Sequence, residues 1–192
     1  MFCGNKLTFY EKKHLIYMLR LFLMFIFLAV TSSITAQDKI LWSESRKLVW
    51  DDFQSKVRTG NSSAAATTYC GISYLLSTTT KKFSSRQVKV ESFFVPAKSW
   101  AHNDHKTDLV LMHEQSHFDI AELFARKFRK IISDKTLDAK LLQKYYTEVY
   151  NDYRKYQQDY ETVTNHGRIR EKQYEYSARI DSEIEKLRDF KT

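Results

Sequence analysis

Two histidines four residues apart with a glutamate between them, His113-Glu114-Gln115-Ser116-His117, are the residues of this 192-residue chain best suited to chemistry. On a helix of 3.6 residues per turn, positions 113 and 117 are separated by about 40°, so both imidazoles can meet one Zn²⁺ at roughly 2.0 to 2.1 Å. Glu114 falls on the adjoining face, where its carboxylate can take a proton from a water that the ion has acidified. The same pattern also arises in buried helices whose histidines are only hydrogen-bonded core residues, so its surroundings decide the reading.

Those surroundings are helical. Thr107-Asp108 offers a helix start, apolar residues flank the motif on both sides, and neither Pro nor Gly occurs until well past Ile132. A catalytic zinc usually takes three protein ligands and leaves one position to water. Candidates for the third are His102, His105, Asp119, Glu122 and His166. Asp119 and Glu122 stand about 160° and 140° around the helix from His117, and Glu122 about 180° from His113, facing away from the metal. His102 and His105 lie in a polar loop upstream. His166 sits beside Gly167 in a break between two helical segments, where a returning helix can bring it back to the pair, and it is the expected third ligand. Tyr160 and Tyr156 are candidates to donate a hydrogen bond to a developing oxyanion, with a core-packing role as the plainer reading. Asp119 and Glu122 are candidates to support the site from behind.

The elements that must position these residues change character near residue 100. Before it, Cys70, Ile72, Tyr74 and Leu76 alternate on one side, and Val88, Val90 and Phe94 do so with Lys89 and Glu91 opposite. This spacing predicts half-buried strands, joined by turns over 58–62 and 77–80 into an antiparallel meander of about three. After residue 106 the period is helical, predicting helices from about Asp108 to Ser133, Leu137 to Thr162 and Arg168 to Phe190. The expected fold class is α+β and zincin-like: an N-terminal antiparallel sheet, about 45–100, packed on some three helices, about 108–190, that carry the metal site.

The N-terminus resembles a secretory signal peptide, with Lys12, Lys13 and Arg20 before the apolar block Leu21–Val30 and small polar residues up to Ala36. The block is shorter than the roughly 20 residues that span a bilayer, so cleavage after Ala36 and export are expected, with no stable membrane span afterwards. Met18 is an alternative start. Cleavage removes Lys6, Lys12, Lys13 and Arg20 against Glu11, lowering the formal net charge from +8 to +5. The remainder fits a single domain, 37–192. Cys3 leaves with the leader and Cys70 stands alone, so no intramolecular disulfide forms in the exported product. The tyrosines from Tyr145 to Tyr160 recur at steps of three and four among Lys144, Arg154 and Lys155. That spacing describes a packing stripe, and a nucleic-acid partner is not expected.

His113-Glu114-Gln115 with His117-Phe118-Asp119-Ile120 and Glu122, then Tyr160, Thr164 and His166-Gly167, and upstream Trp50, Asp52-Phe53 and Ser99-Trp100, resemble a family of uncharacterised secreted bacterial proteins regarded as zinc-dependent proteases. Gln173 fits the pattern too, whereas Tyr176 replaces the family's usual Trp. The resemblance runs over nearly all of residues 45–190. It implies a secreted or periplasmic zinc metallopeptidase acting on peptide or protein substrates, with Glu114 as general base. The alternative is a catalytically silent zinc-binding envelope protein that serves as an interaction module.

Overall fold

The computed structural model describes residues 38–56 and 64–192. The leader with its apolar block, the expected cleavage point and the turn over 58–62 lie outside the described residues. Gln37–Thr192 form one compact unit. Among the described residues there are five strands, β1 (Ile40–Leu41), β2 (Ala66–Thr67), β3 (Cys70–Leu76), β4 (Val88–Phe94) and β5 (Trp100–Ala101), and three helices, α1 (Asp108–Ile132), α2 (Ala139–Thr164) and α3 (Arg170–Glu185). The fold is α+β. No helix among these residues is long and apolar enough to cross a membrane.

The strands do not form one meander. β3 and β4 are an antiparallel hairpin, from Cys70 opposite Phe94 to Leu76 opposite Val88, and β1 adds to the far edge of β4. β2 pairs instead with β5, through Ala66 opposite Ala101 and Thr67 opposite Trp100. Along β4 burial alternates as the sequence predicts, with Val88, Val90, Ser92 and Phe94 turned inward.

α1 is the central element. It is capped by Thr107, whose Oγ1 accepts from the Val110 amide at 3.3 Å. Its second half buries Phe118, Ile120, Leu123, Phe124 and Phe128 against the sheet and the other helices. Each such side chain contributes roughly 2 kcal/mol by leaving water. Asp138 caps α2 by accepting from the Leu141 amide at 2.8 Å. The α1–α2 link is held to the sheet by the mutual backbone bonds of Phe83 and Leu137. α2 therefore returns antiparallel to α1, bringing its C-terminal half alongside the histidine pair.

Glu122 lies on the face of α1 away from the histidines, as its spacing requires, and does structural work there. Its carboxylate accepts from Arg126 at 2.9 Å, Arg129 at 3.0 Å and the Ser92 hydroxyl at 2.6 Å. Arg126 reaches on to the Ile184 carbonyl and Arg129 to the carbonyls of Val90 and Phe190. This buried network joins α1 to β4, α3 and the C-terminal turn.

Candidate metal centre

Three side chains converge between α1 and α2: His113, His117 and Glu161 offer one ligand atom each, all within 4.8 Å of one another. His113 Nε2 lies 3.2 Å from His117 Nε2. The Glu161 carboxylate lies beside both, its Oε1 3.1 Å from His117 Nε2 and its Oε2 3.6 Å from His113 Nε2. Ligands about 2.05 Å from a tetrahedral ion stand about 3.3 Å apart, so the 3.2 Å between the two Nε2 atoms matches one edge of such a tetrahedron.

Each imidazole is held from behind by an amide. His113 Nδ1 is 2.9 Å from Gln173 Oε1 on α3, and His117 Nδ1 is hydrogen-bonded to Gln157 Oε1 on α2. The amide orientations follow from their other ends, where Gln157 Nε2 donates to the His117 carbonyl at 2.9 Å and Gln173 Nε2 to the Tyr160 hydroxyl. Both Nδ1 atoms must therefore carry the proton and donate it, which turns the Nε2 lone pairs toward each other and toward a carboxylate. Such an arrangement requires a cation in its middle. Burial pulls the His117 imidazolium down, but its bond to Glu161 and the charges of Glu114 and Glu161 outweigh this and hold it above its ordinary value. Burial likewise pushes Glu161 up, and His113 and His117 together draw it well below the carboxylate range. Two imidazole nitrogens and a carboxylate gathered at this separation fit the donor set of a metal site.

Glu114 is buried next to His113 and lines both clefts that open onto the triangle, one lined also by His117 and the other by His113. It is placed to meet whatever enters either of them.

The third member of the cluster differs from the sequence expectation. Asn165, His166 and Gly167 all have positive φ, at 48°, 56° and 74°. This left-handed run swings the His166 side chain outward, leaving it 68% exposed, with Nδ1 2.7 Å from Glu161 Oε2. His166 reaches the cluster through Glu161, which lies on the inward face of α2 with Gln157, Tyr160 and Thr164. Gly167 itself is essential to the packing, because a Cβ there would stand 3.0 Å from His113 Cγ and Nδ1.

The remaining candidates fall away from the centre. Tyr160 is fully buried, stacks on the His113 ring at 4.9 Å and lines neither cleft, so it supports the ligand and does not face a substrate. Tyr156 packs against Phe124 and Tyr176. Asp119 orients no histidine: it accepts from Trp42 Nε1 at 2.6 Å and Gln115 Nε2 at 2.8 Å and pins the N-terminal segment to α1. His102 stacks edge-on with Trp100 and His105, and only His105 reaches a cleft wall. Sequence reasoning passed over Glu161, Gln157 and, as a histidine holder, Gln173. The signal for Glu161 was its place one residue after Tyr160 and four after Gln157 on a single helical face.

A helix bearing two histidines, completed by a carboxylate from an antiparallel neighbour and roofed by a small sheet, defines an α+β protein able to hold a metal ion. The chain belongs to the family described as bacterial protein of unknown function (DUF922), whose model matches residues 46–167. That span runs from the N-terminal loop to Gly167 and includes His113, Glu114, His117, Glu161 and His166. No curated protein and no solved structure gave a significant match to the chain.

Proposed function

We propose that this protein is a zinc-dependent metallopeptidase that acts outside the cytoplasm, with His113, His117 and Glu161 as the metal ligands and Glu114 as the general base. The observation that carries the reading is the convergence of His113 Nε2, His117 Nε2 and the Glu161 carboxylate beside Glu114, which lines the open cleft. Two nitrogen donors with one oxygen donor form a set typical of hydrolytic zinc sites. Bound there, zinc would supply a Lewis acid that acidifies water and polarises a substrate carbonyl. Glu114 accepts the proton of the attacking water and delivers it to the nitrogen of the leaving amine. Gln157 and Gln173 keep both imidazoles in the tautomer that presents Nε2. His166 Nδ1, 2.7 Å from the outer oxygen of Glu161, holds that carboxylate in place. Export is supported by the leader-like block Leu21–Val30.

The test is Glu114→Gln. The variant keeps about one equivalent of zinc and loses hydrolysis of a mixed peptide library by at least 10²-fold. Loss of the metal in this variant would contradict the role of Glu114. A zinc-loaded wild type that cleaves nothing, with Glu114→Gln indistinguishable from it, would favour the silent interaction module.

A further inference from the structure

We propose, resting on the peptidase reading above, that the cleft selects an extended peptide carrying acidic side chains on both sides of the bond that is cut. Two hollows meet at the metal triangle and share Ala64, Ala66, Glu114 and Glu161 as common walls. The larger, about 620 Å³, extends past His117 between Thr67, Thr68, Tyr153 and Arg154. The smaller, about 340 Å³, extends past His113 to Leu109, His166 and Arg168. Along α1, Leu109 and His113 border the smaller hollow and His117 the larger; Ala65, just before β2, borders the smaller and Thr67, at its end, the larger. Helix and strand thus run in the same sense, and β2 lies lengthwise along the groove. β2 is bonded to β5, and no other strand pairs with it among the described residues. A peptide in extended form can add beside it, and the small alanine side chains leave room to do so.

The charges of this groove are one-sided. Apart from Glu114 and Glu161, which belong to the reacting centre, every Asp, Glu, Lys or Arg on its walls is cationic: Arg154 and Lys155 at the His117 end, Arg168 at the His113 end. None of the three is ion-paired among the described residues, although most basic residues on the surrounding helices find a carboxylate. The hydroxyl of Thr68, on the wall of the larger hollow, is buried without a hydrogen-bond partner among the described residues and can donate to an entering carboxylate or carbonyl. Unpaired cations at both ends, with a donor on the wall of the larger hollow, are complementary to acidic residues and offer nothing to basic ones.

The experiment uses fluorogenic peptides of one frame with Asp, Asn or Lys placed on either side of the cut, assayed with the zinc-loaded protein. The wild type prefers Asp to Asn by about fivefold in kcat/KM on each side, and disfavours Lys, as expected for partly exposed ion pairs. Arg154→Glu/Lys155→Glu abolishes or inverts the preference on one side only, and Arg168→Glu does so on the other side only. Cleavage without charge preference overturns the proposal and leaves the peptidase reading intact. So does a preference that either variant changes equally on both sides, which would report net charge and not a subsite. Failure of the zinc-loaded wild type to cleave these peptides or a mixed library overturns the peptidase reading itself.

Discussion

Gly167→Ala is a single methyl group aimed at the metal site from outside it. At φ 74° the backbone is left-handed, where an alanine costs about 1 to 2 kcal/mol relative to glycine. The added Cβ also meets His113 Cγ and Nδ1 at 3.0 Å and its Cβ at 3.2 Å, so ring or loop must give by several tenths of an ångström. The ring is poorly placed to yield, being bonded to Gln173 at 2.9 Å and stacked on Tyr160 at 4.9 Å. Together these effects remove about 2 kcal/mol of stability, which lowers Tm by about 4 to 8 °C in a domain of this size. They also shift one ligand off the tetrahedral face, which weakens zinc by about tenfold, the lower range for disturbed ligand orientation. Thermal unfolding of the metal-free protein and a competitive zinc titration separate the two effects. A lowered Tm with unchanged zinc affinity would refute the packing of Gly167 on a ligand. No change in either would refute the left-handed turn.

Further outcomes follow from the same geometry. Glu122→Ala removes the carboxylate shared by Arg126 and Arg129, leaving Arg126 only the exposed Glu44 and the Ile184 carbonyl, and costs about 3 kcal/mol in denaturant unfolding, while zinc content of the folded fraction is unchanged; loss of zinc with full stability would place Glu122 in the metal centre. Gln157→Leu and Gln173→Leu each weaken zinc by about 10- to 100-fold by freeing one imidazole, and an unchanged affinity in both would mean that the amides do not set the tautomer. The hydrogen bond from Lys82, with the Leu141 amide, holds the Asp138 carboxyl below its ordinary 3.8. A depressed carboxyl stabilises the fold above that value and ceases to do so as pH falls through its lowered folded value. The Tm difference between wild type and Asp138→Ala is therefore full at neutral pH and narrows below 3.8; a difference independent of pH would remove the charge from the explanation.

Much of this architecture was legible because it is local. The start of α1 at Thr107, the pair His113 and His117 on one face, and the break at Asn165–Gly167 follow from caps, periodicity and turn chemistry alone. Glu122 was correctly directed away from the histidines by its angle on the helix. What escaped depends on packing between elements. Glu161 is one of several acids on α2, with Glu148, Asp152 and Asp159, and only the register of α2 against α1 distinguishes it. His166 was attractive because it is a histidine beside a glycine, but three successive left-handed residues turn it outward. The amides that hold the histidines lie 40 and 60 residues away in sequence. The β2–β5 pair has two residues per strand, too few to show a period, so it was absorbed into the expected meander.

The central claim is the ligand set, and a zinc titration of wild type, Glu161→Ala and His166→Ala tests it most directly. The account predicts one equivalent of zinc for the wild type, at least tenfold weaker binding for Glu161→Ala, and binding within about threefold of wild type for His166→Ala, since His166 acts only through the outer oxygen of Glu161. Zinc retained in Glu161→Ala and lost in His166→Ala would contradict it.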